Sequence, residues 1–155
     1  MLSDVLAAAV AVGPTILVTD SDAEDARSLA AVHGARIVDD PGRGQGEAVA
    51  AGLGAVEEWP VLVVNADLPT VQPRDLLALL GAMPPDGIAI AEAEDGTTNA
   101  LALSRPGLFA PLYGVGSARR FREHAQSLGV EVVSLNVPAL AEDVDTVEAF
   151  ERLAS

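Results

Sequence analysis

Residues 61–69 read Val-Leu-Val-Val-Asn-Ala-Asp-Leu-Pro, an apolar run followed at once by a carboxylate and a turn. Such a run predicts a strand buried on both faces, as in parallel sheets. Asp67 then lies just beyond the carboxyl end of the strand, where open α/β sheets bind ligands. A plain turn, in which Asp67 only accepts backbone N–H bonds, explains the same residues, and both interpretations stay open.

Alternating elements continue on both sides of this strand. Further strands are predicted at 15–19, 35–38, 87–91, 99–103 and 130–135, and helices at 4–12, 21–33, 45–58, 73–83, 117–128 and 146–153. Ser3 is expected to cap the first helix. Because strands and helices alternate at short spacing, the chain is predicted to be one three-layer α/β/α domain over residues 1–155 with a mainly parallel sheet.

Composition excludes several classes of function. The net charge of -14 argues against nucleic acid and anionic membranes as partners. All nine basic residues are arginines, so a phosphate-binding loop that needs lysine is excluded. Because the chain has no cysteine, a zinc site is not expected. With no long apolar run and no basic leader, the chain is expected to be cytoplasmic.

Two polar loops interrupt the apolar pattern. They are Asp95-Gly96-Thr97-Thr98-Asn99 and Gly114-Val115-Gly116-Ser117-Ala118-Arg119-Arg120, and the second opens a helix. Cations oppose the field at a helix start, so the arginines predict a bound anion, a phosphate in particular. The alternatives are a solvated hairpin turn, Ser117 as an ordinary helix cap, and a solvated arginine cluster.

Three carboxylates follow predicted strands or precede the last helix. Asp67 is one, and Asp143 and Asp145 are spaced to point the same way if that segment is extended. Carboxylate oxygens favour Mg²⁺ or Mn²⁺, and such a set suits phosphate chemistry. Alternatively, Asp145 or Thr146 simply caps the terminal helix.

Four motifs in this order resemble one family. They are Asp67-Leu68-Pro69, the stretch 96–101, the stretch 113–121 and Asp143-Val144-Asp145-Thr146. Together they are similar to the phosphoenolpyruvate or 2-phospho-L-lactate guanylyltransferases, which make the guanylated precursor of coenzyme F-420. The resemblance implies a nucleotidyltransferase fold of the nucleotide-diphospho-sugar transferase type, shared with the molybdenum-cofactor nucleotidyltransferases.

The resemblance also implies roles for residues of this chain. Asp67, Asp143 and Asp145 would hold Mg²⁺ between the substrates. Thr98, Gly114 and Ser117 would bind a phosphorylated three-carbon acid, and the other substrate would be GTP, with pyrophosphate as the leaving group. Phosphoenolpyruvate, 2-phospho-L-lactate and a phosphoglycerate all remain open as the acid.

The chain departs from the family pattern at its start. Family members begin with a further strand and a lysine loop for the nucleotide, and this chain has neither. Either the sequence is truncated at its N-terminus, or it belongs to a divergent member that cannot hold GTP in the usual way. The segment 44–48 also lacks the usual Leu-Asn pair. Two alternatives follow: a non-catalytic or regulatory domain that binds the acid, and a molybdenum-cofactor-type nucleotidyltransferase. An uncovered sheet edge would favour a homodimer.

Overall fold

The computed structural model describes residues 2–141, in which helices and strands alternate as predicted. The elements are α1 Leu2–Val12, β1 Ile16–Thr19, α2 Glu24–His33, β2 Arg36–Asp39, α3 Gln45–Leu53, β3 Val61–Val64, α4 Pro73–Ala82, β4 Gly87–Glu92, β5 Thr98–Leu103, α5 Ser117–Ser127, β6 Glu131–Ser134 and α6 Pro138–Ala141. Helix α3 ends five residues before the predicted Glu58, and α6 was not predicted. Asp143, Asp145 and the predicted helix 146–153 lie outside the described residues.

The described strands form two sheets. Strands β1 and β2 pair in parallel, and a four-stranded sheet has the order β3-β5-β4-β6. Strand β5 is antiparallel to both of its neighbours, whereas β4 and β6 are parallel. The expected mainly parallel sheet is therefore mixed, because β4 and β5 are joined by a hairpin loop too short for a parallel crossover.

The β4–β5 hairpin forms the centre of the core. All but one of its strand residues are buried. The two faces of the hairpin carry side chains of different size. The small side chains Ala89, Ala91, Ala100 and Ala102 belong to the core on the α1 and α4 side. The large side chains Ile88, Ile90, Leu101 and Leu103 belong to the core that contains α5. Helices thus cover both faces of the sheet, which confirms the predicted three layers.

Helix ends follow local chemistry. Helix α4 begins with Pro73, and the backbone N–H of Gln72 donates to the Asp75 carboxylate at 2.8 Å. Helix α2 ends at Gly34, whose φ of 77° suits glycine. Ser3 lies inside α1, and its hydroxyl contacts His33 Nε2 at 3.0 Å. The predicted capping role of Ser3 is therefore wrong.

Helix α5 is anchored by Phe121, which is fully buried and meets the Tyr113 ring edge-on at 5.3 Å. We expect Phe121→Ala to lower the free energy of unfolding by about 3–5 kcal/mol, because it removes a large buried side chain and leaves a cavity. Urea denaturation measures this loss. Leu77→Ala, at a side chain that is 53% exposed, is the control and should change it by only about 0.5 kcal/mol. Equal losses in the two variants would contradict this packing.

Candidate active site

The two polar loops meet at the start of α5. The hydroxyls of Thr98 and Ser117 are hydrogen-bonded at 3.0 Å, and the two residues are 2% and 0% exposed. Beside them, the N–H of Ala118 donates to the carbonyl of Gly96 at 3.2 Å. The solvated-turn interpretation is wrong for Thr98 and Asn99, which are buried. The hairpin loop and the start of α5 therefore form one unit.

The hairpin loop has its own internal bonds. The Thr97 hydroxyl donates to Asp95 Oδ1 at 2.6 Å, and the Thr97 N–H donates to the same atom at 3.1 Å. These bonds, the side-chain one first, lower the pKa of Asp95 below its usual range. Gly96 has a φ of 82°, which glycine adopts readily. These features fix the loop at the point where the Gly96 carbonyl accepts the Ala118 N–H of α5.

The loop before α5 turns on two glycines. Gly114 and Gly116 have φ values of 111° and 73°, and Gly116 is the N-cap residue of α5. Ser117 is therefore a helical residue, and its hydroxyl serves the bond to Thr98 instead of a cap. The Ser117 N–H donates back to the Gly114 carbonyl at 3.0 Å. Gly114 itself is exposed, and no acceptor within residues 2–141 is bonded to its N–H.

The three arginines of α5 already have partners. Arg119 pairs with Glu123 at 2.9 Å, and Arg122 pairs with Glu92 at 3.5 Å. Arg120 donates instead to backbone carbonyls of the loop 112–115. The side chains of the adjacent Arg119 and Arg120 are bonded to different groups of the protein, so the structure does not support an anion held between them. Sequence could not show this, since backbone carbonyls are present at every position.

Three side-chain amides form a chain along the same edge of the sheet. Gln45 Nε2 donates to Asn65 Oδ1 at 2.8 Å, and Asn65 Nδ2 donates to Asn99 Oδ1 at 3.1 Å. Asn99 Nδ2 then donates to the Leu140 carbonyl at 2.9 Å. The sequence patterns did not predict these amide hydrogen bonds. A signal was present in Asn65 and Asn99, polar residues at the ends of apolar strands that must find partners when buried.

Asp67 lies two residues beyond Asn65 at this edge. Asn65 Nδ2 also donates to the Thr98 carbonyl at 3.2 Å, so the end of β3 and the start of β5 are tied together. The Asp67 Oδ1 atom is buried and has no hydrogen-bond partner among the described residues. A buried carboxylate oxygen is costly unless a donor or a cation meets it. Asp67 is therefore suited to bind a hard cation.

Thr98, Gly114, Ser117 and Asp67 are thus brought to one edge of the sheet. Within residues 2–141 no group of three carboxylate or imidazole side chains is close enough to hold a metal, and Asp143 and Asp145 lie outside this range. An open cleft of about 350 Å³ between α1 and the segment 69–73 contains none of these four residues.

Comparison with known proteins places the chain in a family. Residues 1–132 match the family model of the MobA-like NTP transferase domain. A phosphoenolpyruvate guanylyltransferase from Streptomyces coelicolor is 36% identical over 151 residues, which are 92% of this chain and 69% of that protein. The chain belongs to the phosphoenolpyruvate guanylyltransferase family. Its membership confirms the resemblance drawn from the four motifs.

A second family member and a solved structure are also similar to this chain. A phosphoenolpyruvate guanylyltransferase from Sphaerobacter thermophilus is 41% identical over 95 residues, 61% of this chain and 46% of that protein. The chain thus spans about half of one relative and about two thirds of the other. A nucleotidyl transferase from Methanothermobacter thermautotroptrophicus superposes with a TM-score of 0.74 at 18% identity, over 97% of this chain and 76% of that one. This structure confirms the predicted nucleotidyltransferase fold.

No helix within the described residues is long and apolar enough to cross a membrane.

The buried hydroxyl pair can be tested by a double-mutant cycle. Thr98→Val or Ser117→Ala leaves the other hydroxyl buried without its partner, so each should lower the free energy of unfolding by about 1–3 kcal/mol. The double variant should lose less than the sum by at least about 0.5 kcal/mol, since no orphaned hydroxyl remains. Thr98→Val combined with Ser127→Ala, at the far end of α5, is the control and should be additive. Additivity in the Thr98 and Ser117 pair would contradict the bond.

Proposed function

We propose that this protein is a guanylyltransferase that transfers GMP from GTP to phosphoenolpyruvate and releases pyrophosphate, in coenzyme F-420 biosynthesis. The observation that carries the proposal is the bonded junction of the two polar loops, which is tied through Asn65 to the end of β3, the strand that Asp67 follows. Membership of the phosphoenolpyruvate guanylyltransferase family supports the same reaction. GTP and phosphoenolpyruvate are cytoplasmic metabolites, so the proposal places the reaction there.

The acceptor acid is proposed to bind at the loop 114–117. Gly114 is exposed and lies two residues before the N-cap of α5, and a helix N-terminus is a position that favours phosphate. The Thr98 and Ser117 hydroxyls lie beneath this loop and hold it against the hairpin. In this arrangement Gly114 contacts the phosphate through its backbone, while Thr98 and Ser117 fix the loop and offer hydroxyl groups at its base.

Magnesium is proposed to be held by Asp67 together with Asp143 and Asp145. The unpartnered buried oxygen of Asp67 supports this assignment. The carbonyl of Ala141 accepts the Glu94 N–H at 3.2 Å, so the described chain ends at this edge, and Asp143 follows two residues later in the sequence. When bound, the ion supplies charge neutralisation on the reacting phosphates and on the pyrophosphate that leaves.

The proposed reaction is a displacement at the α-phosphorus of GTP. A phosphate oxygen of the acid forms a bond to the α-phosphorus. The bond between the α-phosphorus and the oxygen that bridges to the β-phosphate breaks. Pyrophosphate takes the electron pair, and GMP stays joined to the acid through a diphosphate. The nucleophile is already anionic, so no general base is required. The residues of this chain act by orienting the acid and lowering the repulsion between anions.

Pyrophosphate release tests the reaction directly. The purified protein is mixed with GTP, MgCl₂ and phosphoenolpyruvate, and pyrophosphate is followed by a coupled assay with mass analysis of the product. We expect release only when all three are present, and a weaker rate with 2-phospho-L-lactate or a phosphoglycerate.

Two results would overturn the proposal. Calorimetric binding of phosphoenolpyruvate without binding of GTP, and without pyrophosphate release, would favour a non-catalytic domain that binds the acid. A product formed only with another nucleotide or a molybdopterin acceptor would favour a different nucleotidyltransferase.

The role of Asp67 can be tested by charge removal. Asp67→Asn should lower kcat/KM by at least on the order of 10²-fold, because it removes a charged ligand from the site of transition-state charge. The midpoint of urea unfolding should stay near that of the wild type. Asp22→Asn is the matched control, since it removes the same charge from an exposed carboxylate beyond β1. Retained activity in Asp67→Asn would exclude its metal role.

A further inference from the structure

One side chain organises the loop that precedes α5. The Arg120 guanidinium donates from Nε and Nη2 to the Leu112 carbonyl at 3.2 and 2.9 Å, and from Nη2 to the Tyr113 carbonyl at 3.1 Å. Its Nη1 donates to the Val115 carbonyl. A guanidinium carries its N–H groups in one rigid plane. Arg120 therefore fixes the directions of three peptide carbonyls at once.

Fixed carbonyls determine where the next N–H groups point. In a planar trans peptide the carbonyl and the following N–H point in opposite directions. Because the Tyr113 carbonyl faces Arg120, the N–H of Gly114 is directed away from the guanidinium. The Val115 carbonyl has the same effect on the N–H of Gly116. Arg120 thus turns two donors to the side of the loop opposite the guanidinium.

The loop turns beside the guanidinium at two glycines, where a Cβ would make only ordinary van der Waals contact. A Cβ added to Gly114 would lie 3.6 Å from Arg120 Nη2, and a Cβ added to Gly116 would lie 3.6 Å from Nη1. Both glycines also have φ values that other residues rarely adopt. Backbone conformation and guanidinium therefore form one assembly, in which neither glycine is replaced without strain.

The charge of Arg120 differs from that of its neighbours on α5. Arg119 and Arg122 have carboxylate partners, whereas within residues 2–141 the acceptors of Arg120 are neutral carbonyls. Its positive charge therefore remains uncompensated at the helix start. In a chain of net charge -14, this charge lowers the local repulsion of an anion.

We infer that Arg120 is a positioning residue for the acceptor phosphate: it orients the Gly114 and Gly116 N–H groups and supplies positive charge behind them, without contacting the acid. This inference rests on the proposed binding of the acid at the loop 114–117. It assigns Arg120 a role that its adjacent neighbour Arg119 does not share.

The test compares Arg120→Ala, Arg120→Lys and the control Arg119→Ala. Arg120→Ala should raise KM for phosphoenolpyruvate roughly 10- to 100-fold, because misplaced donors weaken binding of the phosphate. Arg120→Lys should show a smaller but still measurable rise, since it keeps the positive charge but one ammonium group cannot reproduce the planar fork. KM for GTP should stay within about twofold in all three variants. Loss of folded protein alone would lower kcat and leave KM unchanged, so the KM ratio separates the two effects.

Two outcomes overturn the inference while leaving the proposed function intact. One is a KM for phosphoenolpyruvate in Arg120→Ala within about twofold of the wild type, and the other is full activity in Arg120→Lys. If the wild type releases no pyrophosphate from GTP, the proposed function fails, and amide hydrogen exchange then decides the role of Arg120. Faster exchange at Gly114 and Gly116 in Arg120→Ala than in Arg119→Ala supports it, and equal exchange overturns it.

Discussion

The structure depends on burying one hairpin on both of its faces. Strands β4 and β5 present alanines to the α1 and α4 layer and large aliphatic residues to the α5 layer. Small side chains allow close approach of the helices on one side, and the large ones fill the wider space on the other. A hairpin held this tightly gives its terminal loop a fixed position. That loop meets the start of α5, so the core determines where the candidate site is built.

Sequence patterns predicted most of the fold because its strands are built around short apolar runs. Every strand predicted within residues 2–141 is present, and the three-layer arrangement follows from their alternation with helices. The direction of β5 did not follow from that alternation, since it depends on the short loop that joins it to β4. The C-terminal end of α3 and the short helix α6 were also missed. Helix α3 ends where Gly52 and Gly54 lower its helical preference, and α6 has only four residues, too few for a helical period to show.

The candidate site was predictable in its residues but less so in its bonds. The polar loops, Thr98 and Ser117 stood out from an apolar sequence, and the structure brings them together. The partners of Arg119, Arg120 and Arg122 could not be derived, because an arginine can donate to a phosphate, a carboxylate or a carbonyl. Within the part of the chain that the structure describes, each of them has a partner in the protein, and Arg120 alone is bonded to the loop before α5.

The amide chain from Gln45 through Asn65 and Asn99 to Leu140 has a consequence for how the site responds to its surroundings. Amide groups do not titrate in water, and their bonds are little affected by ionic strength, unlike those of exposed ion pairs. Neutral amide groups therefore hold β3, β5 and α6 together in a strongly acidic chain. A change of pH that protonates substrate phosphates therefore leaves these amide hydrogen bonds unchanged, and the join between β3, β5 and α6 is kept.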